Sequence, residues 1–193
     1  MIIKPYYRMK EILTKTEASW DKLAPTEENA IAFAEKYLNK EPAREISSNQ
    51  KSLEYYLAHY GDSINNNYRK GYPLDNYEKK IPSMIRTYST KKDIVVYRGV
   101  GKPIFELMKR NAKSYSKTDL FERGFLFTSL VKHCEINHKI KLRIFVPAGT
   151  HAVYQGNINF EQSYYEVDIQ HNAQLKIISI DKEYINCQLL CTA

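Results

Sequence analysis

The first residue of this sequence that reads as chemistry is a carboxylate set among aromatics. In YYEVDIQ, residues 164–170, strand alternation puts Tyr164, Glu166 and Asp168 on one face and Tyr165, Val167 and Ile169 on the other. A lone glutamate in mid-strand usually points to solvent. Flanked by aromatics, it is instead partly desolvated and placed to stabilise a developing cation. Glu161 is the rival acid in the same stretch. Arg98 ends the run VVYRG and precedes Gly99. An arginine leaving a strand beside glycine offers its guanidinium fork to a phosphate or carboxylate, and glycine admits the ligand close to the backbone. The alternative is a salt bridge at a strand end. Thr128 and Ser129 close GFLFTSLV. Their hydroxyls either bond nearby backbone or orient an acid on the next strand. Asn65, Asn67 and Arg69 lie at a helix end in INNNYRKG, where Arg69 also suits the helix dipole.

Other chemistries find less support. The three cysteines, Cys134, Cys187 and Cys191, have no CxxC spacing, which argues against a disulfide framework or a zinc site. His133, Cys134, Glu135 and His138 share a loop without a recognisable metal spacing, so no metal is expected. The 29 basic against 22 acidic residues give a net charge of +7, which favours an anionic partner without choosing among them. Lys109, Arg110 and Lys113 make a basic helix face, but no array of aromatics accompanies it, so nucleic acid is possible and not favoured. The start, MIIKPYYRMK, has no apolar signal segment, and no long apolar run follows. A chain that stays in the cytoplasm when made, with no membrane span, is the expectation.

The elements that must position these residues fall into two parts. Over TEENAIAFAEKYLNK, Thr26 is placed to cap a helix with Glu27 and Glu28 in its first turn. Ala30, Ile31, Ala34, Tyr37 and Leu38 recur at helical spacing. A second helix runs through NQKSLEYYLAHYGDSINNNYRKG, with Leu53, Leu57, Tyr60, Ile64 and Tyr68 as its apolar stripe and Gly71 as its stop. A weaker third starts or kinks at Pro82. From about residue 92 the pattern becomes short strands, DIVVYRG first, with PIFELMKRNA as the one helical interruption. No long helix separates the last five strands, which predicts an α+β protein with a mostly antiparallel sheet. The length suits one domain of 1–193, helical over 1–90 and β-rich over 91–193.

In that order, the INNNYR helix, the VVYRG strand, the FTSL strand and YYEV resemble the bacterial mono-ADP-ribosyltransferase toxins of the arginine–serine–glutamate class. These include the clostridial Rho-modifying exoenzymes and the enzymatic parts of binary toxins. The resemblance covers roughly residues 50–183. It implies helices packed on a two-sheet β-sandwich that binds NAD, and transfer of ADP-ribose to a macromolecular acceptor, expected to be a host protein in a target-cell cytosol. By position, Arg98, with Gly99, would bind an NAD phosphate. Asn65 and Arg69 would contact NAD, Thr128 and Ser129 would fill the second and third places of a Ser-Thr-Ser motif, and Glu166 would be the catalytic glutamate. The loop of about 156–163 would recognise the acceptor, with Phe160 as its exposed aromatic and Glu161 beside it. The residue types suit the reaction. Nicotinamide leaves readily, so the barrier lies in the oxocarbenium-like ribose, which one carboxylate on the 2′-hydroxyl stabilises.

Two departures stand out. The first serine of Ser-Thr-Ser, which orients the glutamate in the family, is Phe127 here. The position two before the glutamate, where the family keeps Gln or Glu to select the acceptor, is Tyr164. These residues keep two other functions open: hydrolysis of NAD with water as acceptor, and a catalytically inactive binding module on the same fold.

Overall fold

The computed structural model describes residues 17–41, 52–157 and 163–193. Phe160 and Glu161, and with them most of the expected acceptor loop, lie outside the described residues. The described elements are α1 (Glu17–Trp20), α2 (Ala30–Tyr37), α3 (Leu53–Lys70), α4 (Ile81–Ile85), β1 (Ile94–Val100), α5 (Lys102–Ala112), β2 (Leu120–Glu122), β3 (Leu126–Ser129), β4 (Ile140–Val146), β5 (Ala152–Gly156), β6 (Glu166–Ile169), β7 (Ala173–Ile180) and β8 (Ile185–Cys191), with 3-10 turns at Asp21–Leu23 and Glu27–Asn29.

Helices precede strands, as the patterning predicts. Thr26 does not cap as expected. Its hydroxyl accepts from the Asn29 side-chain amide at 3.1 Å, and the residues after it form the 3-10 turn before α2 begins. Ala30, Ala34 and Leu38 are buried, but Ile31 is exposed. The long helix α3 follows its signals closely. Ser52 accepts from the Tyr55 amide at 3.1 Å, and Gly71 closes the helix in the left-handed region at φ 68°. Leu57 and Ile64 are wholly buried against Phe125 and Val153. Each such side chain is worth about 1.5–3 kcal/mol. Pro82 sits in the first turn of α4, where its missing amide costs nothing.

The eight strands run in the order β2-β7-β8-β4-β1-β3-β6-β5. All pairs are antiparallel except β4 with β8. The chain leaves β4 through Gly149 at φ 84° and takes β5 to the far edge beside β6, not back along β4. Three strands lie between β2 and β1, yet the Arg98 guanidinium on β1 meets the Glu122 carboxylate on β2 at 3.0 Å. A flat sheet would separate them by about 19 Å at about 4.8 Å per strand, so the sheet must curl strongly. Its concave side holds the main apolar core, where Leu120, Ala173 and Leu175 meet Val96, Ile144 and Val167. The hydrogen bonding is continuous, so the two layers expected from the resemblance are not separate sheets in this order.

Helix α3 is pinned to the turn before β3 by one side chain. Asn65 is fully buried, donates to the Phe125 carbonyl at 3.0 Å, and accepts from the Phe125 amide at 2.6 Å. The Asn65→Ala variant strands both backbone groups. It should lose about 2–4 kcal/mol in urea denaturation, whereas the exposed neighbour variant Asn66→Ala should stay within about 0.5 kcal/mol of the parent.

Candidate active site

Register across three adjacent strands assembles the candidate residues. Tyr97 of β1 pairs with Ser129 of β3, and Ser129 pairs with Glu166 of β6. Residues separated by nearly seventy positions are thereby neighbours. Helix α3 crosses above them at Gly61. A Cβ there would lie 2.9 Å from the Phe127 ring, so glycine is what lets helix and ring meet. The result is a cleft of about 390 Å³, within the range of small-ligand sites. Asp62, Arg98, Ser129, Tyr164 and Glu166 line it. A smaller cavity of about 220 Å³ between Pro147–His151 and Leu189–Thr192 has no carboxylate or guanidinium in its wall.

The sequence did not single out the acid that organises the arginines. Glu122 is buried and accepts a fork from Arg69, Nε to Oε1 at 2.9 Å and Nη2 to Oε2 at 2.8 Å. It also accepts from Arg98 Nη2 at 3.0 Å and from the Gly124 amide at 3.0 Å. Burial alone would raise its pKa. The charges of Arg98 and Arg69 and these hydrogen bonds outweigh that and hold it below the usual carboxylate range. Arg98 Nη1 remains buried without a partner. One guanidinium nitrogen is thus fixed by Glu122 and the other is left for an anion.

The other expected residues divide. Asn65 and Arg69, expected to touch NAD, are not among the residues lining the cleft. Asn65 spends its amide on Phe125, and Arg69 holds Glu122. Gly99 lines the cleft, but the close approach it permits is that of the chain itself. A Cβ at Gly99 would fall on the Ile136 carbonyl, so the loop after β3 crosses β1 there. The Thr128 hydroxyl donates to the Val167 carbonyl at 2.7 Å. Ser129 donates to the Val131 carbonyl at 2.7 Å and accepts from the Val131 amide at 3.1 Å. Tyr165 packs against the main core, as its alternation predicts, but its backbone is left-handed at φ 47°. Its amide donates to Asn157 Oδ1 at 2.7 Å and its carbonyl accepts from Leu130 at 2.9 Å, which holds that turn and aims the next residue, Glu166.

Glu166 is half-buried, and its pKa is raised, chiefly by burial. Asp168, two residues on, is completely buried and raised further, by burial first and then by the Glu166 charge. Cys134 also lines the cleft, but burial, with Glu27 nearby, pushes its thiol up to about 11, which makes it a poor nucleophile. Among the described residues no group of His, Cys, Asp and Glu could hold a metal ion. None of their helices is long and apolar enough to cross a membrane.

Comparison with known proteins gives this geometry a context. The family model for ADP-ribosyltransferase exoenzymes matches residues 28–193. Among solved structures, the Clostridium limosum C3 exoenzyme is similar at 19% identity and TM-score 0.61, over 86% of this chain and 96% of that one. C3larvin, an ADP-ribosyltransferase toxin from Paenibacillus larvae, is similar at 19% identity and TM-score 0.57, over 86% and 95%. C3stau2 from S. aureus, solved with NAD, is similar at 17% identity and TM-score 0.57, over 92% and 97%. At these identities the likeness is one of fold. No curated protein sequence matches the chain.

The Glu122 cluster yields a pH prediction. Its folded pKa lies below the unfolded value, so the stability it supplies is present above about pH 4.3 and is lost as pH falls through the folded pKa. Glu122→Gln should lose about 3–5 kcal/mol at about pH 7, and its stability should fall less steeply with acid than that of the parent. Urea denaturation at neutral and acid pH checks both. An equal acid slope would show that Glu122 is not the group responsible.

Proposed function

The chain belongs to the ADP-ribosyltransferase exoenzyme family, and we propose that it uses Glu166 and Arg98 to transfer ADP-ribose from NAD to a protein acceptor, releasing nicotinamide. The observation that carries this reading is the three-strand register that sets Ser129 beside Glu166 in one cleft with the unpartnered Arg98 Nη1. That nitrogen is a buried, charged donor with a fixed direction, which suits one oxygen of the NAD diphosphate.

Each residue then has a physical task. Glu166 accepts from the ribose 2′-hydroxyl and faces the positive charge that grows on the ribose as nicotinamide departs. Arg98 holds the diphosphate so that the sugar sits over Glu166. Arg69 and Asn65 act through others: Arg69 aims Arg98 through Glu122, and Asn65 fixes the turn from which β3 departs. Tyr164 lines the cleft ahead of Glu166, and the acceptor is proposed to enter beside it. A phenol there cannot take a proton from a guanidinium as a carboxylate can, so the proposed acceptor is a protein side chain other than arginine. Phe160 and Glu161 are proposed to contact that acceptor from the adjoining loop. Its delivery into the cytosol of a target cell belongs to the same proposal.

Glu166→Gln should lower nicotinamide release by about 100-fold or more while the thermal shift produced by NAD persists. Unchanged turnover in this variant would remove Glu166 from the reaction. Labelled NAD incubated with cell extract separates transfer to protein from release of free ADP-ribose to water.

A further inference from the structure

The three positions that would orient Glu166 from β3 have no proton to give it. Phe127 has none. The Thr128 hydroxyl donates to the Val167 carbonyl, and the Ser129 hydroxyl donates to the Val131 carbonyl, both at 2.7 Å. Each hydroxyl carries a single hydrogen, so both are spent. Asp168 follows two residues after Glu166 on the same face of β6. It is wholly buried, and neither of its carboxyl oxygens has a hydrogen-bond partner. Its register neighbours are Phe127 on β3 and Val153 on β5, both apolar. The nearby Gln155 points its Nε2 to the Glu54 carbonyl at 3.3 Å and leaves Oε1 unpartnered. Gln155 favours the charged form of Asp168, but complete burial and the neighbouring Glu166 outweigh it and favour the neutral acid. Two carboxyl groups side by side on one strand face can hydrogen-bond only if one of them carries a proton.

We propose that Asp168, held as a carboxylic acid, donates its proton to the Glu166 carboxylate and so orients it for the ribose, replacing the hydroxyl that Phe127 cannot supply. Asp168 is a positioning residue, because it acts through Glu166. The proposal rests on Glu166 being the catalytic carboxylate. The substitution at 127 and the acid at 168 face each other across the β3–β6 ladder, so one arrangement accounts for both. The Phe127 ring, seated on Gly61, covers the pair from the helix side and keeps the shared proton in an apolar setting. The charged and titratable groups around the cleft into which Glu166 opens are His59, Tyr60 and Asp62 from α3, Tyr97 and Arg98 from β1, Cys134 and Glu135 after β3, and Tyr164 ahead of β6. Of these, Asp62 adds to the penalty on a second negative charge at the pair.

The pair should titrate as a unit with two apparent pKa values. With two protons, Glu166 is neutral and inactive. With one, it is an oriented carboxylate. With none, it loses its donor and faces a second charge, so activity falls again at alkaline pH. In the full chain, kcat and KM for NAD should be measured against pH for the parent, Asp168→Asn, Asp168→Leu and Glu166→Gln, with circular dichroism melts as the folding check. Asp168→Asn keeps a donor and the shape. It should retain kcat within about threefold at neutral pH and lose the alkaline limb. Asp168→Leu should lower kcat by about 10- to 100-fold, as the loss of an orienting partner does elsewhere, with KM for NAD within about twofold. Infrared difference spectra should show a protonated-carboxyl band at neutral pH in the parent and its loss in Asp168→Asn, a result that holds even if the leucine variant does not fold. An alkaline limb retained by Asp168→Asn, a parent without the infrared band, or an unchanged kcat in folded Asp168→Leu would each overturn the proposal. Glu166→Gln separates the two readings. Activity there overturns the assignment of Glu166, whereas an inactive Glu166→Gln beside an Asp168→Asn indistinguishable from the parent overturns Asp168 alone.

Discussion

A single buried carboxylate, Glu122, holds this molecule in the shape its site needs. It lies on β2, at one end of the hydrogen-bonded order of strands, and Arg98 lies on β1 with three strands between them. Their contact is possible only because the sheet curls, and Arg69 brings the end of helix α3 to the same carboxylate. One anion among two cations leaves a net positive charge inside the protein. That charge is unfavourable without a further anion, and the unpartnered Arg98 Nη1 marks where the anion would sit. The same arginines that close the fold thus leave one donor free for the diphosphate in the proposed function.

The site shows a second economy around Glu166. The hydroxyls of the β3 motif serve the backbone: Thr128 ties β3 to β6, and Ser129 shapes the turn that leads into the loop crossing Gly99. They provide no orienting proton, and the proposed source is the acid two residues further along β6. Phe127 gains packing against Gly61 and places an apolar wall beside that acid. Polar orientation and apolar burial are thus divided between neighbouring strands.

Much of this was legible in the sequence where local chemistry speaks plainly. Gly71 closes α3, a β-branched run marks β1, and the alternation in YYEVDIQ puts Glu166 and Asp168 on one face. The order of motifs nominates Arg98 and Glu166, and the structure places both in the wall of one cleft. What escaped was non-local. Strand β2 is only three residues long, too short for an alternation signal, so nothing local marks Glu122. By position Asn65 and Arg69 match helix residues that contact NAD, whereas the folded chain engages their side chains with Phe125 and Glu122. Gly99 reads as room for a ligand until the loop that fills the room is seen. Sequence spacing shows which groups are available, whereas the tertiary structure decides which are already engaged.

The most direct measurement is a crystal structure of the Glu166→Gln variant with NAD bound. This account predicts a diphosphate oxygen on Arg98 Nη1, Glu122 still bridging Arg98 and Arg69, and the ribose 2′-hydroxyl within hydrogen-bond distance of the side chain at 166. NAD that displaces Glu122 from the arginines, or that sits in the cavity beside Pro147 and Leu189, would contradict it.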